Sequence, residues 1–124
     1  EEVVMLGALG GFRVEHMLAN ISTGLYLALH GVRTILADAK SEMHYLLPGQ
    51  PLELARGEWK YLSLFALGAP MTGVVEQGVY YPLENATLTE LDYPLGTSNE
   101  FTAPAARLQC SSGHGLVVLT RADG

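Results

Sequence analysis

Helical periodicity occurs once in this chain, and everything after it has the spacing of strands. Val14, Met17, Leu18, Ile21, Leu25 and Leu29 recur at intervals of three and four, which predicts a helix over 14–29 with one packed face. Ahead of it, residues 2–6 are a short, β-branched, apolar run and read as a buried strand. Gly7-Ala8-Leu9-Gly10-Gly11 joins the two. Gly31 follows the helix as a left-handed cap, and Thr34-Ile35-Leu36-Ala37 reads as a second strand. Strand, helix and strand with short links predict a right-handed βαβ unit with parallel strands. Two such strands do not make a sheet that stands alone. The chain also opens on Glu1-Glu2 without an initiator Met. Both features lead to the expectation that it is the C-terminal part of a longer protein.

After Lys40 the character changes. Met43–Leu47, Leu52–Ala55, Tyr61–Ala66, Thr72–Glu76, Gly78–Tyr81, Ala86–Leu91, Ala106–Cys110 and Leu116–Thr120 are short β-type runs divided by Gly, Pro and Asn. Runs at this spacing predict an antiparallel β-sandwich or barrel. The fold class expected is thus an α/β fragment, a βαβ unit with a glycine turn, followed by an antiparallel β-sandwich. The boundary falls between about residues 38 and 48, giving parts 1–45 and 46–124.

Charge bounds the partners. The net charge is -6 with only 7 Lys and Arg, and no basic cluster, so nucleic acid is not expected. Charged residues are 16% of the chain, against roughly 25% in an average soluble domain. That deficit, with 48% hydrophobic residues, predicts a surface partly covered by a partner subunit or further chain. No apolar run is long enough for a transmembrane helix, and no signal peptide is visible. Cys110 is the only cysteine, which leaves no internal disulfide, no cysteine-based zinc site, and a fit to a reducing cytoplasm. The four histidines are scattered without a His-x-x-x-His pair, so no metal site is expected on them.

Two stretches carry possible chemistry. Glycines in the first turn let backbone N–H groups approach an anion with no Cβ in the way. The helix start adds free N–H donors and a partial positive charge. The spacing is neither G-x-G-x-x-G nor a Walker loop. Arg13, Glu15 and His16 then place charged and titratable groups at its mouth. The second stretch is Gly96-Thr97-Ser98-Asn99-Glu100, whose Ser and Asn offer compact donors and acceptors to a polar ring. Each stretch alone also fits an ordinary tight turn. Asn85-Ala86-Thr87 matches a glycosylation sequon and is read as a loop.

Taken together, these pieces resemble one family. Gly10-Gly11 with Arg13-Val14-Glu15-His16-Met17-Leu18-Ala19-Asn20 resembles the Gly-Gly-Arg-x-Asp-His-x-x-Ala-Asn stretch of the thiamine pyrophosphokinases. Tyr61-Leu62-Ser63-Leu64-Phe65 is similar to that family's Tyr-x-Ser-x-Phe strand. Gly78-Val79-Tyr80-Tyr81-Pro82-Leu83 resembles its Gly-Leu-Lys-Tyr-Pro-Leu segment, and Gly96–Glu100 its Gly-x-Ser-Asn-Glu motif. Phe12 is an extra residue, and Glu15 stands where the family has Asp. The family's Asp-rich metal motifs lie upstream of the matched region.

The resemblance implies a homodimer in which an α/β nucleotide-binding domain, here 1–45, holds ATP and Mg²⁺. A β-sandwich, here 46–124, helps to hold thiamine. The implied reaction moves a pyrophosphoryl group from ATP to the thiamine hydroxyl, giving thiamine diphosphate and AMP. Gly10 and Gly11 would line the phosphate cleft, Arg13, Glu15 and His16 would act in transfer, and Ser98 and Asn99 would contact thiamine. The implied location is the cytoplasm. The alternative is a non-catalytic binding or dimerisation module derived from the same fold.

Overall fold

The computed structural model describes residues 2–6, 14–90 and 96–122. It contains β1 (Glu2–Leu6), α1 (Val14–Leu29), β2 (Arg33–Ala37), β3 (Ser41–Leu46), β4 (Leu52–Ala55) and β5 (Tyr61–Ala66). These are followed by β6 (Met71–Gln77), β7 (Leu83–Leu88), β8 (Asn99–Glu100), β9 (Ala105–Gln109) and β10 (Gly115–Thr120). Among the described residues α1 is the only helix, as the single helical-period stretch predicts.

The strands form a six-stranded sheet in the order β1-β2-β3-β10-β5-β8 and a four-stranded sheet in the order β4-β9-β6-β7. β1 and β2 are parallel. β2 then pairs antiparallel with β3, Ile35 opposite His44 and Ala37 opposite Glu42, so the parallel pair extends the larger sheet without a break. The reversal is an Asx turn: Asp38 Oδ1 accepts from the backbone N–H groups of Lys40 and Ser41, both at 2.8 Å. The change of periodicity that marks a boundary in the sequence is a hairpin in the structure.

The two faces of the large sheet have different cover. On one side Leu46, Leu62, Leu64, Val117 and Leu119 share a core with Leu54, Met71, Val74, Leu88 and Leu108 of the small sheet. On the other side Leu36, Tyr45 and Leu116 pack with Ala28, Ile21 and Leu25 of α1. β10 is paired on both edges and apolar on both faces, which explains its unbroken Leu-Val-Val-Leu run.

The helix face differs from the expected stripe. Ile21, Leu25 and Ala28 are the inward positions. Leu18 and Leu29 are exposed, at 57% and 48%. Gly24 belongs to the inward face because Tyr45 rises from β3 against it and donates its phenol to the Ile21 carbonyl at 2.6 Å. Burial raises this phenol to about 12. Beyond α1, bonds from Gly31 N–H to Ala28 O and from Val32 N–H to Leu27 O close the helix in a Schellman motif.

Candidate functional site

The β8 end of the large sheet carries the second motif. β8 is two residues long and pairs with β5, Leu62 opposite Asn99 and Tyr61 opposite Glu100. Gly96 brings the preceding turn onto β5: its carbonyl accepts from Leu64 N–H at 3.0 Å, and a Cβ there would run into the Leu64 carbonyl. Ser98 takes a positive φ of 56° and donates its backbone N–H to the Ser63 hydroxyl at 2.8 Å. Ser98 itself is exposed. Thus the Ser of the Tyr-x-Ser-x-Phe strand and the Ser of the turn meet at one place.

Asn99 is 2% exposed, and its amide is committed to main chain. Oδ1 accepts from Tyr81 N–H at 2.9 Å and from Glu100 N–H at 3.1 Å. Nδ2 donates to the Tyr81 carbonyl at 2.8 Å. Two further backbone bonds, Tyr80 N–H to Glu100 O and Thr102 N–H to Gly78 O, lay residues 78–80 beside residues 100–102. The outcome is a pair of presented rings. Tyr80 and Tyr81 are 63% and 66% exposed, edge to face with centroids 4.8 Å apart. The turn, Ser63 and this aromatic pair form the candidate binding surface, joined by Asn99.

Glu76 lies at the inner side of the same region. It is 0% exposed, and neither carboxyl oxygen has a hydrogen-bond partner. Burial pushes it up to about 7; the nearby Asn99 amide opposes that shift without a formed bond. The sequence reading did not single out Glu76, Tyr81 or Ser63 as site residues. Strand alternation carries a signal for Glu76, which shares the inward phase of β6 with Val74.

The first motif is placed only in part. Gly10, Gly11 and Arg13 lie outside the described residues, so their assembly with the turn is not described. Glu15 and His16 are exposed in the first turn of α1. β8 stands four strands from β2 in the sheet order, about 19 Å at the usual strand spacing of about 4.8 Å. α1 packs on β2 and β3. Among the described residues no three His, Cys, Asp or Glu side chains are grouped to hold a metal ion.

Residues 50–114 match the family model described as thiamin pyrophosphokinase, vitamin B1 binding domain. The fold is similar to that of thiamine pyrophosphokinase from Bacillus subtilis, with a TM-score of 0.89 and 20% identity over 97% of this chain and 55% of that one. A thiamin pyrophosphokinase family protein from Enterococcus faecalis is 27% identical, with a TM-score of 0.79 over 95% of this chain and 55% of that one. Thiamin pyrophosphokinase from Candida albicans is 15% identical, with a TM-score of 0.80 over 96% and 45%. The chain spans about half the length of these solved proteins. No curated protein matches its sequence. Because the matched stretch, 50–114, is more than half of the 124 residues and includes Ser63, Tyr81 and the Ser98–Asn99 turn, the chain belongs to the thiamin pyrophosphokinase family through its vitamin B1 binding domain.

Proposed function

We propose that this chain is the thiamine-binding, C-terminal portion of a thiamine diphosphokinase. The complete protein would transfer a pyrophosphoryl group from ATP to the thiamine hydroxyl and release AMP. The observation that carries the reading is the family match over 50–114, which contains the whole surface around the turn. Residues 1–45 are read as the end of the nucleotide-binding domain and 46–124 as the thiamine-binding β-sandwich. The proposed location is the cytoplasm, with a homodimer as the working assembly.

Within the chain, the roles divide by exposure. Ser98 is exposed and is the direct polar contact, backed by Ser63. Tyr80 and Tyr81 present ring faces on which an aromatic heterocycle with positive charge can rest. Asn99 holds the Tyr81 main chain in place and acts on the ligand through it. Gly10, Gly11, Arg13, Glu15 and His16 belong to the transfer side of the cleft in this reading. ATP and Mg²⁺ supply the leaving group and charge neutralisation in the complete enzyme.

Calorimetric titration of the full-length protein with thiamine tests the reading, followed by AMP detection with ATP and Mg²⁺ present. Saturable binding with turnover is expected. Absence of thiamine binding would overturn the reading. Binding without turnover would favour the non-catalytic module.

A further inference from the structure

A buried carboxyl without a partner demands an account. Moving an ionised carboxylate out of water unpaired costs several kcal/mol in real proteins. Glu76 faces Leu83 across β7 and Leu108 across β9. The charged residues beside those positions, Glu84 of β7, Arg107 of β9 and Glu100 of β8, are all exposed. In the shared core the other titratable group is the Cys110 thiol just after β9, itself pushed up by burial. His44 of β3 is buried but paired with Glu42 at 3.1 Å. No described Lys or Arg is buried.

The one polar side chain that acts on Glu76 against the effect of burial is the Asn99 amide. Its oxygen already accepts two N–H groups, and one of its two Nδ2 hydrogens goes to the Tyr81 carbonyl. The second Nδ2 hydrogen is left for the carboxyl.

We propose that Glu76 is a positioning residue for the ligand surface at the Ser98–Asn99 turn, acting through the Asn99 amide on Tyr81 and coupling ligand binding there to release of one proton. It rests on the thiamine reading above. The ionised carboxylate accepts the second Nδ2 hydrogen and holds the amide in the orientation that clamps Tyr81. The protonated acid is a poorer acceptor. Its O–H also competes for Asn99 Oδ1, which holds Tyr81 N–H and Glu100 N–H. A ligand that needs the clamped turn therefore draws the proton off. One O–H bond of Glu76 breaks and the proton passes to buffer, with no other bond changed.

Two measurements on the full-length protein decide it. The first follows the Asn99 side-chain amide by nuclear magnetic resonance as pH is varied without ligand. Its signals should titrate with a midpoint near 7 and stay still in Glu76→Gln. The second is thiamine calorimetry in buffers of different ionisation enthalpy. Binding should release up to one proton and tighten several-fold between about pH 6 and 8, whereas Glu76→Gln should bind with no such dependence. Asn99 signals that do not move in the wild-type protein overturn the proposal, even where Glu76→Gln fails to fold. So does thiamine binding of equal strength across that range, which leaves the thiamine reading intact. No thiamine binding at any pH removes that reading and the proposal with it.

Discussion

Ser98 and Asn99 are neighbours in one motif, yet the structure gives them different work. Ser98→Ala removes an exposed hydroxyl and keeps the backbone bond to Ser63, so stability should change little. Loss of one ligand hydrogen bond should weaken thiamine binding by about 1–3 kcal/mol. Asn99→Ala instead strands the Tyr81 and Glu100 backbone groups that the amide now serves. It should lose both stability and binding, and chemical denaturation beside calorimetry separates the two patterns. The opposite result, a stable Asn99→Ala with weak binding, would make Asn99 a direct contact.

Glu76 sets a pH dependence of folding with a definite sign. Its carboxyl is raised from an ordinary 4.5 to about 7, so the folded chain holds a proton that the unfolded chain has already lost. Stability from this group is fully present below the ordinary value and falls as pH rises toward 7, by on the order of 3 kcal/mol in total. Urea midpoints between about pH 5 and 8 should fall in the wild type and stay nearly level in Glu76→Gln. At this scale the sequence named the turn because Ser and Asn after Gly are chemically conspicuous. It left Glu76 among ordinary strand residues, since partnerlessness is a property of the folded surroundings.

Elements were legible where the signal is local. The α1 limits match the 14–29 stretch because apolar spacing and a glycine stop both lie within one stretch of chain. β8, two residues long, has no period to read and exists through pairing with β5. The β2–β3 hairpin was hidden for a related reason: Asp38 marks a turn, but which strands it joins is decided across the sheet. The inward face of α1 was misassigned at Leu18 and Leu29 because Gly24, not a large residue, meets Tyr45. Gly24→Ala tests that contact. Alanine gains about 1 kcal/mol in helix propensity, but its Cβ collides with a ring held by both burial and the bond to Ile21. Overpacking of this kind costs about 1–3 kcal/mol, so a lower Tm is expected. Adding Tyr45→Phe, which removes the nearest clashing atom, should make the double variant less damaged than the sum of the two.

At the scale of the molecule, the sheet order separates α1 from the Ser98–Asn99 turn. α1 packs on β2 and β3, at one side of the sheet, while Asn99 on β8 and Ser98 just before it sit at the opposite edge. Leu18, Tyr26 and Leu29 leave apolar side chains exposed on α1, and Leu6 is exposed on the neighbouring β1. A two-fold mate can cover such a surface and bring its own glycine turn to the β8 edge, because an isologous interface repeats each contact reciprocally. The expectation is a homodimer in which the Ser98–Asn99 turn lies closer to the partner's glycine turn than to its own Gly10 and Gly11. Complete enzyme with Ser98→Ala in one subunit and a disabled glycine turn in the other tests it. Each parent should be weakened in its own way. If sites are shared across the interface, every mixed dimer holds one site with both motifs intact and one with both impaired, so each mixed dimer should approach half the activity of a wild-type dimer, and an equimolar, fully exchanged mixture about half of that again. If each site is built within one chain, no intact site forms on mixing, and activity should stay at the average of the two parents once subunit exchange is verified by mass spectrometry.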